Sequence, residues 1–120
     1  MPTREESQQR YLEIWDGTAD IDDLDELVTP TFVGHIGSRD RDLARLKQDI
    51  AAYRRQAGDV RFEVMQRFSE GDHVATRVVA HIARPLVDSD ISICGLNISR
   101  WEDGLLAEEW AVWEPLPALS

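Results

Sequence analysis

The side chains best suited to chemistry lie close together near the C-terminus, in residues 98–114 (ISRWEDGLLAEEWAVWE). This segment holds three of the chain's four tryptophans and the carboxylates of Glu108, Glu109 and Glu114. Carboxylates among indole rings could hold an organic molecule in a pocket and move a proton on it. An ordinary amphipathic hairpin has the same composition, so the interpretation depends on which of these side chains share a face.

Asp103 and Gly104 favour a tight hairpin turn at the centre of this segment, because both tolerate positive φ angles. A two-residue loop there divides the side chains between two faces, since successive residues of a strand point in opposite directions. The first face would carry Asn97, Ser99, Trp101, Leu106, Glu108, Trp110 and Glu114, and the second Cys94, Leu96, Ile98, Arg100, Ala107, Glu109, Ala111 and Trp113. Hydrophobicity slightly favours the second set as the buried one.

The preceding hairpin turns around Gly71, and its pattern is expected to bury Arg77 and His81. A loop of two residues places both on one face with Phe62, Val64, Phe68, Ala75 and Val79, whereas a loop of three would reverse the faces. A buried arginine requires an anionic or strongly polar partner, which could be a carboxylate of the last strand or a ligand. In the alternative, Arg77 lies at the sheet edge in solvent and His81 is a structural histidine.

The remaining candidates give little support to a metal or covalent site. His35, near the end of the first strand, could serve a pocket or the framework equally well, and His73 beside a turn is expected to be exposed. The three histidines lack ligand spacing, and the single cysteine, Cys94, excludes an internal disulfide and a cysteine-based zinc site. Cys94 lies in an apolar pattern typical of a buried, inert thiol. Because nucleophile, phosphate-loop and dinucleotide motifs are missing, we expect no metal and no organic cofactor.

Helical signals dominate the first half of the chain. Thr3 and Glu6 have capping-box spacing and predict a first helix that ends at Gly17. Asp20 or Asp22 can start a short second helix through Val28, which Pro30 would stop. After a strand at Thr31–Ile36, residues 38–42 open a third helix with Asp40 as cap, an apolar stripe from Leu43 to Tyr53, and an end at Gly58.

From Val60 onward the apolar period changes from 3.6 to 2, which indicates strands. One strand precedes the turn at Gly71, a long one follows at His73–Arg84, and a loop at Pro85–Asp90 leads to the opening hairpin. Helices followed by an antiparallel meander predict an α+β domain with the helices on one face of a curved sheet.

Composition limits the possible partners and location. The chain has 120 residues, enough for one domain (1–120) with a sizeable core. Its net charge of −10 argues against nucleic acid or an anionic membrane surface. A polar N-terminus and the lack of a membrane-spanning apolar run give a cytoplasmic protein as the expectation.

Four stretches together resemble one family: LVTPTFVGHIG, GDHVATRVVAHI, GLNISRWEDG and LLAEEWAVWE. The chain is similar to the SnoaL-like polyketide cyclases of the nuclear transport factor 2-like (cystatin-like) superfamily. The resemblance implies three helices that close a strongly bent, mainly antiparallel sheet into a cone with an apolar pocket, commonly as a homodimer.

The resemblance also suggests site residues. The family's first-strand histidine corresponds to His35 and its third-strand pocket arginine to Arg77. The family's closing pattern corresponds to Glu109, Trp110 and Glu114, where Glu114 replaces the usual catalytic aspartate with a side chain one methylene longer. Val79 takes the place of an acid that the related limonene epoxide hydrolases use, which argues against epoxide hydrolysis.

These observations give a leading hypothesis and an alternative. In the first, the protein is an acid/base enzyme of the cyclase or isomerase kind in which Glu114 removes a proton next to a carbonyl of an apolar substrate. Arg77, with His35 or His81, would stabilise the enolate. The pocket would be lined by Trp110, Trp101, Asn97, Glu108, Phe62, Val79, Tyr53 and Trp15. In the alternative, the same fold is a non-catalytic module for small-molecule binding or dimerisation.

Overall fold

The computed structural model describes residues 2–83 and 91–115, so the predicted loop Pro85–Asp90 lies outside the described residues. The elements are α1 (Arg4–Asp16), a 3₁₀ turn (Ile21–Asp23), α2 (Leu24–Leu27), β1 (Val28–Ile36), β2 (Arg39–Arg41), α3 (Leu43–Ala57), β3 (Asp59–Glu70), β4 (His73–Ala83), β5 (Ile91–Glu102) and β6 (Leu105–Trp113). Helices packed against a curved sheet confirm the predicted α+β class.

The ends of the helices follow from local capping. The Thr3 hydroxyl accepts a hydrogen bond from the Glu6 N–H at 3.1 Å, and Gly17 ends α1 in the left-handed conformation (φ 90°). At α3 the cap is Asp42, whose carboxylate accepts from the Arg45 N–H at 2.9 Å. The prediction of Asp40 as this cap is wrong, because Arg39–Arg41 pair with β1 as a short strand instead.

The first strand begins earlier than predicted. The second helix ends at Leu27, and Val28 already belongs to β1, so Pro30 lies within a strand. A proline lacks the N–H that a regular ladder uses, but the pairing of β1 with β6 is irregular between Val28 and Val33. Pro30 is therefore accommodated where no regular ladder bond is required.

The strands of the described residues form one sheet in the order β2-β1-β6-β5-β4-β3. The pair β1 with β6 is parallel, and the remaining neighbours are antiparallel. β5 and β6 are joined by Asp103 and Gly104, both with positive φ (51° and 81°), as their residue types predict. The helices cover the inner face of this sheet, and the outer face is open to solvent.

Two single-residue bulges decide which side chains reach the inner face. Between β5 and β6, Trp101 pairs with Leu106 but Arg100 pairs with Glu108, which leaves Ala107 as an extra residue. Between β3 and β4, the register shifts in the same way at Met65. Because strand side chains alternate, one extra residue reverses the faces beyond it.

The core lies between the helices and the inner face in two clusters. The larger contains Tyr11, Ile14, Leu24, Leu27, Val28, Phe32, Leu46, Ile50, Val74, Trp101 and Leu106. The smaller contains Ala57, Ala80, Ile82 and Ile93, with Tyr53, Phe62 and Trp113 packed against it. Partly exposed aromatic rings thus border the second cluster, where the interior is not completely filled.

Candidate active site

A cavity of about 480 Å³ opens between α1, α3 and the inner face of the sheet. Buried residues form its floor and exposed residues its rim. The floor includes Tyr11, Leu12, Leu46, Ile93 and Glu109, and the rim Arg39, Gln56, Glu114 and Pro115. A cavity of this volume falls within the range of roughly 300–1,000 Å³ that small-molecule sites occupy.

Glu109 is the buried carboxyl group of the cavity, with only 3% of its surface exposed. Asn97 Nδ2 donates a hydrogen bond to Glu109 Oε1 at 2.8 Å, and Glu109 Oε2 has no hydrogen-bond partner among the described residues. Burial raises the pKa of Glu109 to about 7, although the neighbouring Tyr11 hydroxyl and Asn97 amide lower it in part. Such a group can both accept and release a proton near neutral pH.

Two tyrosine hydroxyls accompany this carboxyl group in the cavity. Burial, and then the charge of Glu109, raise the pKa of Tyr11 well above its ordinary value. Burial raises the pKa of Tyr53 to about 12. Both hydroxyls therefore stay protonated at neutral pH. The Tyr53 hydroxyl has no hydrogen-bond partner among the described residues, and the Tyr11 hydroxyl lies beside the Glu109 carboxyl group, whose pKa it lowers. Both hydroxyl oxygens are fully buried.

Aromatic rings form the walls between floor and rim. Trp15 packs edge-on against Tyr53 with ring centroids 5.4 Å apart, and Phe62 lies 6.0 Å from Trp113. Trp113 can take this position because Gly95 faces it across the strand pair, and a Cβ at Gly95 would collide with the indole ring. The walls thus present apolar, rigid surfaces to an organic ligand.

Glu114 lies at the rim and is exposed. Its carboxylate accepts a hydrogen bond from the Cys94 N–H at 2.7 Å, and its own N–H donates to the Cys94 carbonyl at 3.0 Å. Glu114 therefore fastens the end of β6 to β5, while the buried Glu109 takes the position on the floor. The predicted buried thiol of Cys94 is half-buried and belongs to the outer face.

His35 and Glu108 lie together on the outer face of the sheet. His35 Nε2 is 2.8 Å from Glu108 Oε2, and His35 Nδ1 is 2.8 Å from Asp40 Oδ1. Arg100 Nε donates to the other Glu108 oxygen at 3.3 Å. Glu108 first, and Asp40 second, raise the pKa of His35, and His35 in turn lowers the pKa of Glu108. This is an ion-pair cluster at the surface, separate from the cavity.

Arg77 and His81 also lie outside the cavity, so the prediction that they share the buried face with Phe62 is wrong. The loop at Gly71 has two residues as expected, but the bulge at Met65 reverses the faces beyond it. Arg77 is exposed, and His81 Nε2 lies 2.9 Å from the Glu63 carboxylate.

The bulge at Ala107 likewise reverses the faces predicted for the residues of β6 that follow it. Trp110, predicted for the pocket, lies on the outer face between the rings of His35 and His73, at centroid distances of 5.5 and 6.1 Å. Val79 is on the outer face opposite Glu63, and Trp101 is buried in the larger core cluster rather than in the cavity wall. The predicted pocket residues that do line the cavity are Glu114, Asn97, Phe62, Tyr53 and Trp15.

Tyr11 and Trp113 line the cavity although they were not among the predicted pocket residues, and Glu109 was noted in the sequence without being placed in the pocket. Hydrophobicity alone favoured burial of the second hairpin face, which contains Glu109 and Trp113. For the residues of β6 this prediction was correct. Tyr11 has no sequence signal beyond its place as an apolar residue within α1. Within the described residues, no group of three or more His, Cys, Asp or Glu side chains is arranged to hold a metal ion. In the same residues, no helix has the length and apolar character to cross a membrane.

The model of the SnoaL-like polyketide cyclase family matches residues 5–120. The chain belongs to this family. The match confirms the resemblance found in the four sequence stretches and extends it to almost the whole chain. A search of curated proteins gave no significant match.

Solved structures of SnoaL-like proteins have the same fold. IdmH of Streptomyces antibioticus, a candidate polyketide cyclase, gives a TM-score of 0.83 at 22% identity, over 94% of this chain and 93% of that one. A candidate polyketide cyclase of Bacillus cereus gives a TM-score of 0.80 at 21% identity, over 92% of this chain and 74% of that one. AclR of Streptomyces galilaeus, a candidate hydroxylase, gives a TM-score of 0.76 at 19% identity, over 93% of this chain and 91% of that one. These likenesses confirm the nuclear transport factor 2-like fold.

Proposed function

We propose that this protein is an acid/base enzyme of the cyclase or isomerase kind, in which Glu109 moves a proton next to a carbonyl group. The observation that carries the proposal is the placement of Glu109. Its carboxyl group is buried in the cavity, one oxygen is held by Asn97, and the other has no partner among the described residues. Glu109 replaces Glu114 as the proposed base, because Glu114 is exposed at the rim.

The proposed step uses Glu109 in its ionised form. Its pKa of about 7 leaves a substantial ionised fraction at neutral pH while keeping the carboxylate more basic than an exposed one. Glu109 Oε2 takes a proton from the carbon beside the carbonyl, and the electrons of the C–H bond move to the carbonyl oxygen as an enolate. The Tyr11 hydroxyl would donate a hydrogen bond to that oxygen, which lowers the energy of the developing charge. No residue of the outer face takes part.

The walls of the cavity favour an apolar carbonyl compound. Trp15, Phe62 and Trp113 offer ring faces and edges, and the volume of about 480 Å³ suits a molecule of a few fused rings. Membership of the SnoaL-like polyketide cyclase family supports a carbonyl-rich substrate of the polyketide type. The proposed step requires no cofactor.

Exchange of carbon-bound hydrogen on a simple ketone tests this proposal. The probe is 2-tetralone, a bicyclic ketone, and exchange at its benzylic α-carbon in D₂O is followed by proton NMR. The wild-type protein should accelerate exchange, and Glu109→Gln should lose roughly 10²–10⁴-fold of that acceleration. Glu108→Gln is a matched control on the adjacent residue, since Glu108 lies on the outer face, and it should retain wild-type exchange. Glu114→Gln tests the rim carboxylate separately.

The same experiment separates the alternative function. Binding of 2-tetralone is followed by the fluorescence of the tryptophans that line the cavity. Binding without accelerated exchange would refute the proposed enzyme and support a small-molecule-binding module of the same fold. Equal exchange by the wild type and by Glu109→Gln would exclude Glu109 as the base.

A further inference from the structure

A row of buried polar side chains runs along the inner face of the sheet from Glu109 through Asn97 to Thr76, and the polar Gln8 is buried on α1. Asn97, which holds Glu109, pairs with Thr76 across β5 and β4. On the helix side of this layer, Gln8 lies one turn before Tyr11. Thr76 and Gln8 are only 3% and 1% exposed, although both are polar.

Each of these side chains has a polar atom that no described residue satisfies. The unpartnered atoms are Thr76 Oγ1, Asn97 Oδ1, Glu109 Oε2, the Tyr11 hydroxyl, and both the oxygen and the nitrogen of the Gln8 amide. Leaving one buried polar group unpaired costs roughly 1–3 kcal/mol, so a row of them is difficult to reconcile with a dry interior. Internal water commonly bridges such groups with about three hydrogen bonds. The row offers donors and acceptors of the kind that water requires.

The row reaches the surface at the other end. Arg67 pairs with Thr76 across β3 and β4, and β3 is an edge strand of the sheet. Arg67 Nε is buried without a partner among the described residues, whereas its Nη2 donates to the exposed Gln9 at 3.4 Å. Arg67 therefore has one end of its guanidinium in the buried layer and the other towards solvent.

We propose that this row binds internal water and forms a proton path from Glu109 to solvent behind the cavity. The proposal rests on the proposed function, because the path carries away the proton that Glu109 takes from the substrate. Glu109 gives that proton from Oε2 to a water oxygen, and the water passes one of its own protons outward. The water is regenerated, and the net movement is one proton. Thr76 and Gln8 act as positioning residues that hold the water.

The path would matter while a substrate fills the cavity, because Glu109 lies on the cavity floor. Without a second exit, the proton on Glu109 could return only to the bound molecule, which for a simple ketone means the carbon from which it came. A path through the back of the cone lets Glu109 exchange its proton with solvent while the substrate stays in place. Thr76 and Gln8 do not line the cavity, so their replacement leaves the substrate-contacting wall intact.

A high-resolution crystal structure of the wild-type protein tests the water site independently of any activity. The expected result is at least one ordered water within hydrogen-bond distance of Thr76 Oγ1 and of the Gln8 amide. A structure in which these groups bond to protein atoms, with no water between them, would overturn the proposal. This test of the water site does not depend on whether 2-tetralone is a substrate.

Isotope washout from deuterated and tritiated 2-tetralone in ordinary water tests the path itself. Thr76→Val keeps the shape of the side chain and removes its hydroxyl, so washout should fall severalfold and its isotope effect should shrink towards one, because the isotope returns to carbon. Thr76→Ser should restore both values. A slower washout with an unchanged isotope effect would indicate mere structural damage and would overturn the path. If the wild type and Glu109→Gln both show only background washout, the proposed function fails, and the crystal structure still decides the water site.

Discussion

Replacing Glu109 by Gln should stabilise the folded protein at alkaline pH and change its stability little at acid pH. The ordinary pKa of this carboxyl group is 4.5, and burial raises it to about 7 in the folded state. Such an acid binds its proton more tightly in the folded state than in the unfolded state. Its contribution to the free energy of unfolding is therefore greatest below pH 4.5. It is lost progressively as the pH rises through the folded value of about 7. Glutamine has nearly the same shape, does not ionise, and can still accept the Asn97 hydrogen bond.

The magnitude follows from the difference between the two pKa values. Each pKa unit corresponds to roughly 1.4 kcal/mol, so the change from 4.5 to about 7 predicts that Glu109→Gln gains about 3 kcal/mol at pH 8.5 relative to pH 4.5. Urea unfolding of both proteins at several pH values measures this difference. Glu108→Gln should instead destabilise the protein above pH 4.5 and lose this effect as the pH falls below 4.5, because His35 lowers the pKa of Glu108 from its ordinary value of 4.5. If the effect of Glu109→Gln is the same at every pH, the burial argument is refuted.

Three further results are expected from other parts of the molecule. Glu108→Gln should lower the pKa of His35 as measured by NMR titration, because Glu108 is the main cause of its elevation; an unchanged titration would contradict the contact. Gly95→Ala should displace Trp113, destabilise the protein by roughly 1–3 kcal/mol and weaken 2-tetralone binding, and unaltered binding would show that the indole does not shape the cavity. Leu96→Asp, within the exposed apolar patch of the outer face, should convert the predicted homodimer to a monomer in analytical ultracentrifugation, whereas a stable dimer would place the interface elsewhere.

Local signals in the sequence were sufficient for most of the fold. Thr3 and Gly17 mark the ends of α1 because each meets the hydrogen-bonding or φ requirement of a helix end. Asp103 and Gly104 fix the turn between β5 and β6 through their positive φ angles. Asp40 misled because its type suits a cap, while pairing of its segment with β1 is a tertiary effect.

The candidate site was harder to predict, because it depends on two bulges. Met65 and Ala107 have no composition or turn signal that distinguishes them from ordinary strand residues, yet each reverses every side chain beyond it. Sequence alternation therefore placed Arg77 and Glu108 towards the interior and Glu109 towards the exterior. Asn97 lies on β5, which carries no extra residue, and it was placed correctly towards the cavity.

The extra residue at Ala107 also has a consequence for how this strand can change over evolution. It decides that Glu109 rather than Glu108 faces the interior, while alternation along the strand keeps the two neighbouring carboxylates in different environments. Loss of Ala107 itself would leave the pairs of Trp101 with Leu106 and of Arg100 with Glu108 unchanged, whereas loss of a residue between Glu108 and Trp113 would reverse the faces of the side chains beyond it. Point substitutions in this strand should consequently be tolerated far more often than single-residue deletions, and a length change here offers an abrupt route to a different cavity.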